Sequence, residues 1–191
     1  MSRRAYNVDL TRCHKLIVGE GESDRNFFAA FCPVNSIDGF EYAFTGMHND
    51  KYSPSGFDSF RHYLPALYNV AGFSSLTDLV LICDSTDKPS QRLTALKTQI
   101  RNVNRQLGGQ VYAEQVDANV ISTTGSPRVH VLMIPAGRPG GIESVCFDVA
   151  RDNLDASGHN GTVKEGWVNT FANSACVDWA TEKRDKLRRR P

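Results

Sequence analysis

Lys15-Leu-Ile-Val-Gly-Glu20-Gly-Glu-Ser-Asp-Arg25 and Leu79-Val-Leu-Ile-Cys-Asp84-Ser-Thr-Asp87 share one design: an apolar run that stops abruptly at carboxylates. The near-continuous Leu-Val-Leu-Ile suits a strand covered on both faces of a parallel sheet. In an open parallel sheet, the strand ends along one edge share the crevice where ligands bind. Glu20 and Asp84 are therefore expected side by side, an arrangement that suits a divalent metal next to phosphate.

Working outward from these two runs gives an alternating order. The first strand is expected over His14–Val18. Ser23 can cap the helix that follows, with Asp24 favoured in its first turn. Phe27, Phe28 and Phe31 form one face of that helix, and Pro33 is expected to end it. Phe40–Thr45 reads as the second strand and the polar stretch His48–Gly56 as a loop. Phe57, Phe60, Leu64, Leu67 and Tyr68 recur with a helical period. Leu76–Cys83 is the third strand. Pro89 is placed to start a helix that carries Leu93, Leu96, Ile100, Val103 and Leu107, and Gly108-Gly109 stop it. Val111–Ser126 admits either a strand or an excursion. Val129–Ile134 is the fourth strand, Pro135–Gly141 a loop and Ile142–Leu154 a helix. Trp167, Phe171, Ala175 and Trp179 mark a last helix, and Lys183–Arg190 holds six basic residues and one acid.

Strands alternating with helices imply an α/β fold with a parallel sheet covered on both faces. At 191 residues the chain suits one domain with a real core. Formal net charge is +1, so no global field advertises nucleic acid, although a local patch suffices to bind it. Cys13, Cys32, Cys83, Cys146 and Cys176 are widely spaced, without a CxxC pair, which argues against zinc and a disulfide framework. The start, Met1-Ser-Arg-Arg, lacks the apolar stretch of a signal peptide, and no segment reaches the ~20 apolar residues of a membrane span. A cytoplasmic protein without membrane attachment is expected.

Oxygen donors suit Mg²⁺, which takes one or two protein carboxylates plus water and substrate phosphate. Glu20 or Glu22 can serve beside the metal as general acid or base. Glu143 admits two readings, a further metal ligand or an acid placed by the helix dipole. Arg92 and Arg138 are candidates for phosphate contact; the other reading of Arg92 is a structural salt bridge to a site acid, and that of Arg138 a solvated loop arginine. Gly19-Glu-Gly21 is not a dinucleotide loop: the third glycine of GxGxxG is replaced by Asp24, and three acids there repel a pyrophosphate. No P-loop, GxSxG or paired-histidine motif occurs.

These residues resemble a known family. Glu20-Gly-Glu-Ser-Asp24 is similar to the first motif of Toprim domains, found in bacterial primases, topoisomerases and OLD-type nucleases. The match is closest to a small bacterial and phage-associated Toprim-like family of unknown function, related to OLD proteins. Its second motif resembles Asp84-Ser-Thr-Asp-Lys-Pro89-Ser-Gln-Arg92. A later motif resembles Val131-Leu-Met-Ile-Pro135-Ala-Gly-Arg-Pro-Gly140-Gly-Ile-Glu143.

The resemblance spans about residues 14–155 of a single Toprim-like domain over 1–191, leaving 156–191 as a helical extension and basic tail. It implies a Rossmann-like three-layer sandwich with a mainly parallel four-stranded sheet and an extra C-terminal helix. Glu20 would be the general acid/base or a metal ligand, Asp24 the acid closing the motif and Asp84 the ligand of Mg²⁺ (or Mn²⁺). The family's second aspartate would fall at Thr86, a weak uncharged ligand, with Asp87 one residue on as its substitute. That departure weakens two-metal catalysis. Two functions follow from the resemblance: Mg²⁺-dependent, nuclease-like phosphoryl transfer on nucleic acid, or a non-catalytic module that binds nucleic acid, nucleotide or a protein partner, as in phage defence.

Overall fold

A computed structural model describes residues 8–46, 55–85, 88–114, 127–136, 139–142 and 144–146. Its strands are β1 (Lys15–Gly19), β2 (Glu41–Phe44), β3 (Asp78–Asp84), β4 (Ala113–Glu114) and β5 (Arg128–Ile134). Its helices are α1 (Glu22–Val34), α2 (Phe60–Leu67) and α3 (Pro89–Gln106). The strands form one sheet in the order β2-β1-β3-β5-β4, and every pair of neighbours is parallel. The four expected strands are all present. A fifth, of only two residues, lies at the edge within the stretch whose sequence left strand and excursion open.

Alternation along each strand divides the core in two. Leu16 and Val18 of β1, with Leu79, Leu81 and Cys83 of β3, face the layer of α2 and α3. Ile17 and Ile82 face α1 through Phe28 and Cys32, and Ile142 joins that side. The period of two sends successive residues to opposite faces. Since both faces are covered, β3 has no polar residue between Leu79 and Cys83. The result is an α/β three-layer sandwich. Burying one leucine in either layer contributes roughly 2 kcal/mol.

Several boundaries move for local reasons. The N-cap of α1 is Gly21, not Ser23, because Asp24 Oδ2 accepts the Gly21 N–H at 2.8 Å. Pro33 lies inside the last turn of α1, which runs one residue further; near a C-terminus its missing donor removes one bond and need not stop the helix. The apolar run from Phe57 begins as a 3-10 turn, Phe57–Ser59, before α2, and α2 ends at Leu67. Pro89 is the first residue of α3 and Gly108, at φ 78°, follows its end, as the sequence leads one to expect. The expected helix from Ile142 is described at Ile142 and 144–146 alone. The Trp167–Trp179 helix and the Lys183–Arg190 tail lie outside the described residues. Among the described residues, no helix is long and apolar enough to cross a membrane.

Candidate functional site

The strand order decides where a site can form. From β1 the chain passes to β2 on one side, then returns across β1 to β3 on the other. The gap between the C-terminal ends of β1 and β3 is thus the topological switch point, where open α/β sheets bind their ligands. Glu20 follows β1 directly, and Asp84 is the last residue of β3.

Parallel register sets Val18 against Leu81, so Glu20 emerges one residue short of Asp84. Its carboxylate closes that distance: Glu20 Oε1 accepts the Asp84 N–H at 3.1 Å. The same oxygen accepts Arg92 Nη2 at 2.5 Å from the first turns of α3. Both side chains are largely buried, 12% exposed for Glu20 and 19% for Arg92. The Arg92 guanidinium carbon stands 4.1 Å from the centre of the Phe57 ring, a cation–π distance. Arg92 Nε is buried and has no hydrogen-bond acceptor among the described residues.

The backbone around Glu20 is held as tightly. Its carbonyl accepts the Gly56 N–H at 2.8 Å and the Thr45 hydroxyl at 2.8 Å. The Thr45 N–H in turn donates to the Gly19 carbonyl at 3.1 Å. Thr45 thus joins the ends of β1 and β2 to the loop that carries Phe57. Asp24 is buried and caps Gly21, and its Cβ sits so close to Gly19 that an added Cβ there would lie 2.4 Å away. Asp24 therefore shapes the turn that aims Glu20.

Burial pushes the Glu20 carboxyl above its ordinary value of 4.5; Arg92 pulls it back through its bond and charge, the nearby Asp84 charge adds to the rise, and the balance is upward. A carboxyl raised in this way is easier to protonate than an exposed one, which is the direction acid/base work asks for. Cys83, beneath the site, is a buried thiol driven well above its ordinary value by desolvation. It is poorly suited to nucleophilic chemistry.

The Gly/Pro loop after β5 reaches the same edge. The Ser85 N–H donates to the Ile134 carbonyl at 2.7 Å, and the Gly140 N–H donates to the Ser85 carbonyl at 2.7 Å. Asp87, Arg138 and Glu143 lie outside the described residues, as does Thr86. Glu20, Asp84 and Arg92 are thus the expected site residues that meet, while Asp24 packs just behind them.

No group of three or more potential metal ligands occurs among the described residues. Mg²⁺ needs only one or two protein carboxylates, and Glu20 and Asp84 are hard oxygen donors on adjacent strand ends. The donor set fits such an ion in type, with one Glu20 oxygen already engaged by Arg92. No protein-family model, curated protein or solved structure matches the chain.

Sequence reasoning missed Thr45 and Phe57 as parts of the site. Thr45 follows the short strand β2 and carried no motif. Phe57 had the apolar period of a helix, which hides its position under a guanidinium.

A second polar cluster occupies the opposite edge. Asp78, at the start of β3, takes His130 Nε2 at 2.9 Å and Arg128 Nη2 at 2.9 Å, both from β5. Burial raises the Asp78 carboxyl, but bonds from His130, Arg128 and Thr77 outweigh it and the balance is below the ordinary 3.8. His130 and Arg128 reach Asp78 across the strands, so the cluster staples β3 to β5.

Proposed function

We propose that the switch point between β1 and β3 is a divalent-cation-dependent phosphoryl-transfer site, acting on nucleic acid in the manner of a Toprim nuclease. One observation carries this reading. Two acidic residues stand at adjacent parallel strand ends flanking the crevice, and the Glu20 carboxylate accepts the backbone amide of Asp84 at 3.1 Å.

In this reading Asp84 holds Mg²⁺ or Mn²⁺, and the ion supplies polarisation of a phosphoryl oxygen. Glu20, with its raised carboxyl, holds or releases the proton of the attacking or leaving oxygen. Arg92, held by Glu20 and Phe57 at the crevice, is the guanidinium placed to meet substrate phosphate.

A second reading, a module that binds nucleic acid, nucleotide or a protein partner without turnover, draws on a different observation. The Glu20–Arg92 ion pair neutralises the acid that catalysis needs. Thermal melts with Mg²⁺ and Mn²⁺, paired with a nuclease screen on DNA and RNA, separate the two. The catalytic reading expects a metal-dependent rise in Tm and metal-dependent cleavage, both lost in Asp84→Asn, with Glu20→Gln losing cleavage. A rise in Tm without cleavage supports the second reading. No response to either ion in the wild-type protein counts against a metal site.

A further inference from the structure

We infer that the outer face of α3 is a docking surface for the phosphodiester backbone of nucleic acid, centred on Lys97, Arg101 and Arg105. These three recur every four residues, so they lie along one face about 6 Å apart. The opposite face, Leu96, Ile100 and Val103, is buried in the core. Arg101 and Arg105 are exposed and Lys97 half-buried.

The charge is one-sided. From Lys88 to Ala113 the sequence has five basic residues and no acid, in a chain whose totals are 22 basic and 21 acidic. Acids that would ordinarily pair with such a helix at i±3 or i±4 are therefore missing from it. Among the described residues, no ion pair engages Arg101 or Arg105. Among the described residues, Arg105 makes a 3.4 Å bond to the Asn102 side chain and no ion pair.

A groove of about 610 Å³ runs beside this row, lined by Arg101, Asn104, Arg105 and Gln110, with Tyr112 at its floor. The Tyr112 ring is fully buried and its hydroxyl donates to the Leu64 carbonyl at 2.6 Å, so it offers no face for base stacking. Cations and amides without an accessible aromatic ring fit a phosphate backbone and not splayed bases. The surface is thus expected to bind without sequence preference.

The placement deepens the proposed function, on which it rests for its biological purpose. The same helix starts at the strand-end crevice with Arg92. From Arg92 to Arg105 is about 20 Å along the helix, so one helix carries Arg92 at the crevice and the row toward its far end.

The binding itself is tested apart from catalysis. Fluorescence anisotropy with a labelled DNA duplex and a labelled RNA strand, in EDTA and at several NaCl concentrations, gives affinity and salt slope. Three phosphate contacts predict a slope of log K on log salt near −2.7, or about 40-fold weaker binding when salt rises about four-fold. Arg101→Gln with Arg105→Gln should flatten the slope by about 2 and weaken binding on every sequence alike. Arg61→Gln on α2 is the control and should change neither. Glutamine keeps most of arginine's helix propensity, and an unchanged Tm confirms folding.

An unchanged slope in the double variant overturns the inference, since the phosphate contacts then lie elsewhere, and leaves the metal site untouched. Absence of binding by the wild-type protein overturns it too. Equally tight binding of a poly-glutamate peptide would assign the row to an acidic protein partner instead. Conversely, if Asp84→Asn abolishes no activity while the arginine pair still sets the salt slope, the surface stands and the catalytic reading fails.

Discussion

Glu20 Oε1 and Arg92 Nη2 lie 2.5 Å apart, and the same carboxylate oxygen receives the amide of Asp84. One side-chain atom therefore ties the end of β1 to the end of β3 and to the start of α3. Removing Arg92 leaves a buried carboxylate with a single amide donor. Arg92→Met is expected to cost about 2–3 kcal/mol in urea denaturation, at the lower end for a pair that keeps some solvent contact. Arg92→Lys should recover little of it, because an ammonium cannot keep both the Phe57 face and the carboxylate. A Glu20→Gln/Arg92→Met cycle is expected to show coupling of about 1–3 kcal/mol. Additivity of the two changes would mean that the pair does not hold the edge together.

The raised carboxyl of Glu20 fixes the sign of a pH effect. Its folded value lies above the ordinary 4.5, so the folded state holds the proton more tightly than the unfolded chain. The associated stability is fully present below 4.5 and is lost as pH climbs through the folded value. Asp78 works the other way. Its folded value lies below 3.8, so its stability is present above that pH and disappears in stronger acid. Urea midpoints for wild type and Glu20→Gln, measured from acid to neutral pH, should converge in acid and part toward neutrality relative to each other. Parallel curves would show that Glu20 is not perturbed.

Asp84 should reveal itself by charge. Its carboxylate raises the cost of ionising Glu20, so Asp84→Asn is expected to stabilise the metal-free protein at neutral pH by under about 1 kcal/mol. The same change should remove any Mg²⁺-dependent rise in Tm. A destabilised Asp84→Asn would mean that the carboxylate serves the fold more than a ligand.

Gly19 is required by space. An added Cβ would stand 2.4 Å from Asp24 Cβ, so Gly19→Ala must push the first turn of α1 away from β1. A loss of about 1–3 kcal/mol is expected, typical of overpacking, together with a weaker metal response as Glu20 shifts. Asp24→Ala should cost less, about 1 kcal/mol, because it removes the Gly21 cap. Equal Tm values for Gly19→Ala and wild type would refute the close packing.

Thr45 tests the missed part of the site. Thr45→Val deletes the hydroxyl that donates to the Glu20 carbonyl inside a fully buried setting. The expected loss is about 1–2 kcal/mol. Any cleavage activity should fall with it, and Thr45→Ser should restore both.

The alternating elements were legible because their signals are local. The apolar run of β3 announces a strand covered on both faces, that of β5 announces a strand, and Leu96, Ile100 and Val103 announce a helix through a period of 3.6. Pro89 and Gly108 bound that helix through backbone rules that apply in any fold. The acids at the strand ends were legible for the same reason: they interrupt an apolar run. The cap of α1 was misread because Ser23 has a capping side chain, whereas the N-cap position is Gly21 and Asp24, three residues on, reaches back to its amide.

What the chain determines by itself is therefore the set of elements and the acidic ends of two strands. Side-chain periodicity and turn chemistry act over a few residues and need no partner. Only the tertiary structure decided the full strand order, that Glu20 reaches the Asp84 backbone amide, and that Arg92 pairs with Glu20 in particular while resting on Phe57. Strand order depends on which apolar faces bury one another best, and Glu20 is 72 residues from Arg92 in the chain. No local pattern encodes that choice; it comes from closing a sheet whose two faces must both be covered.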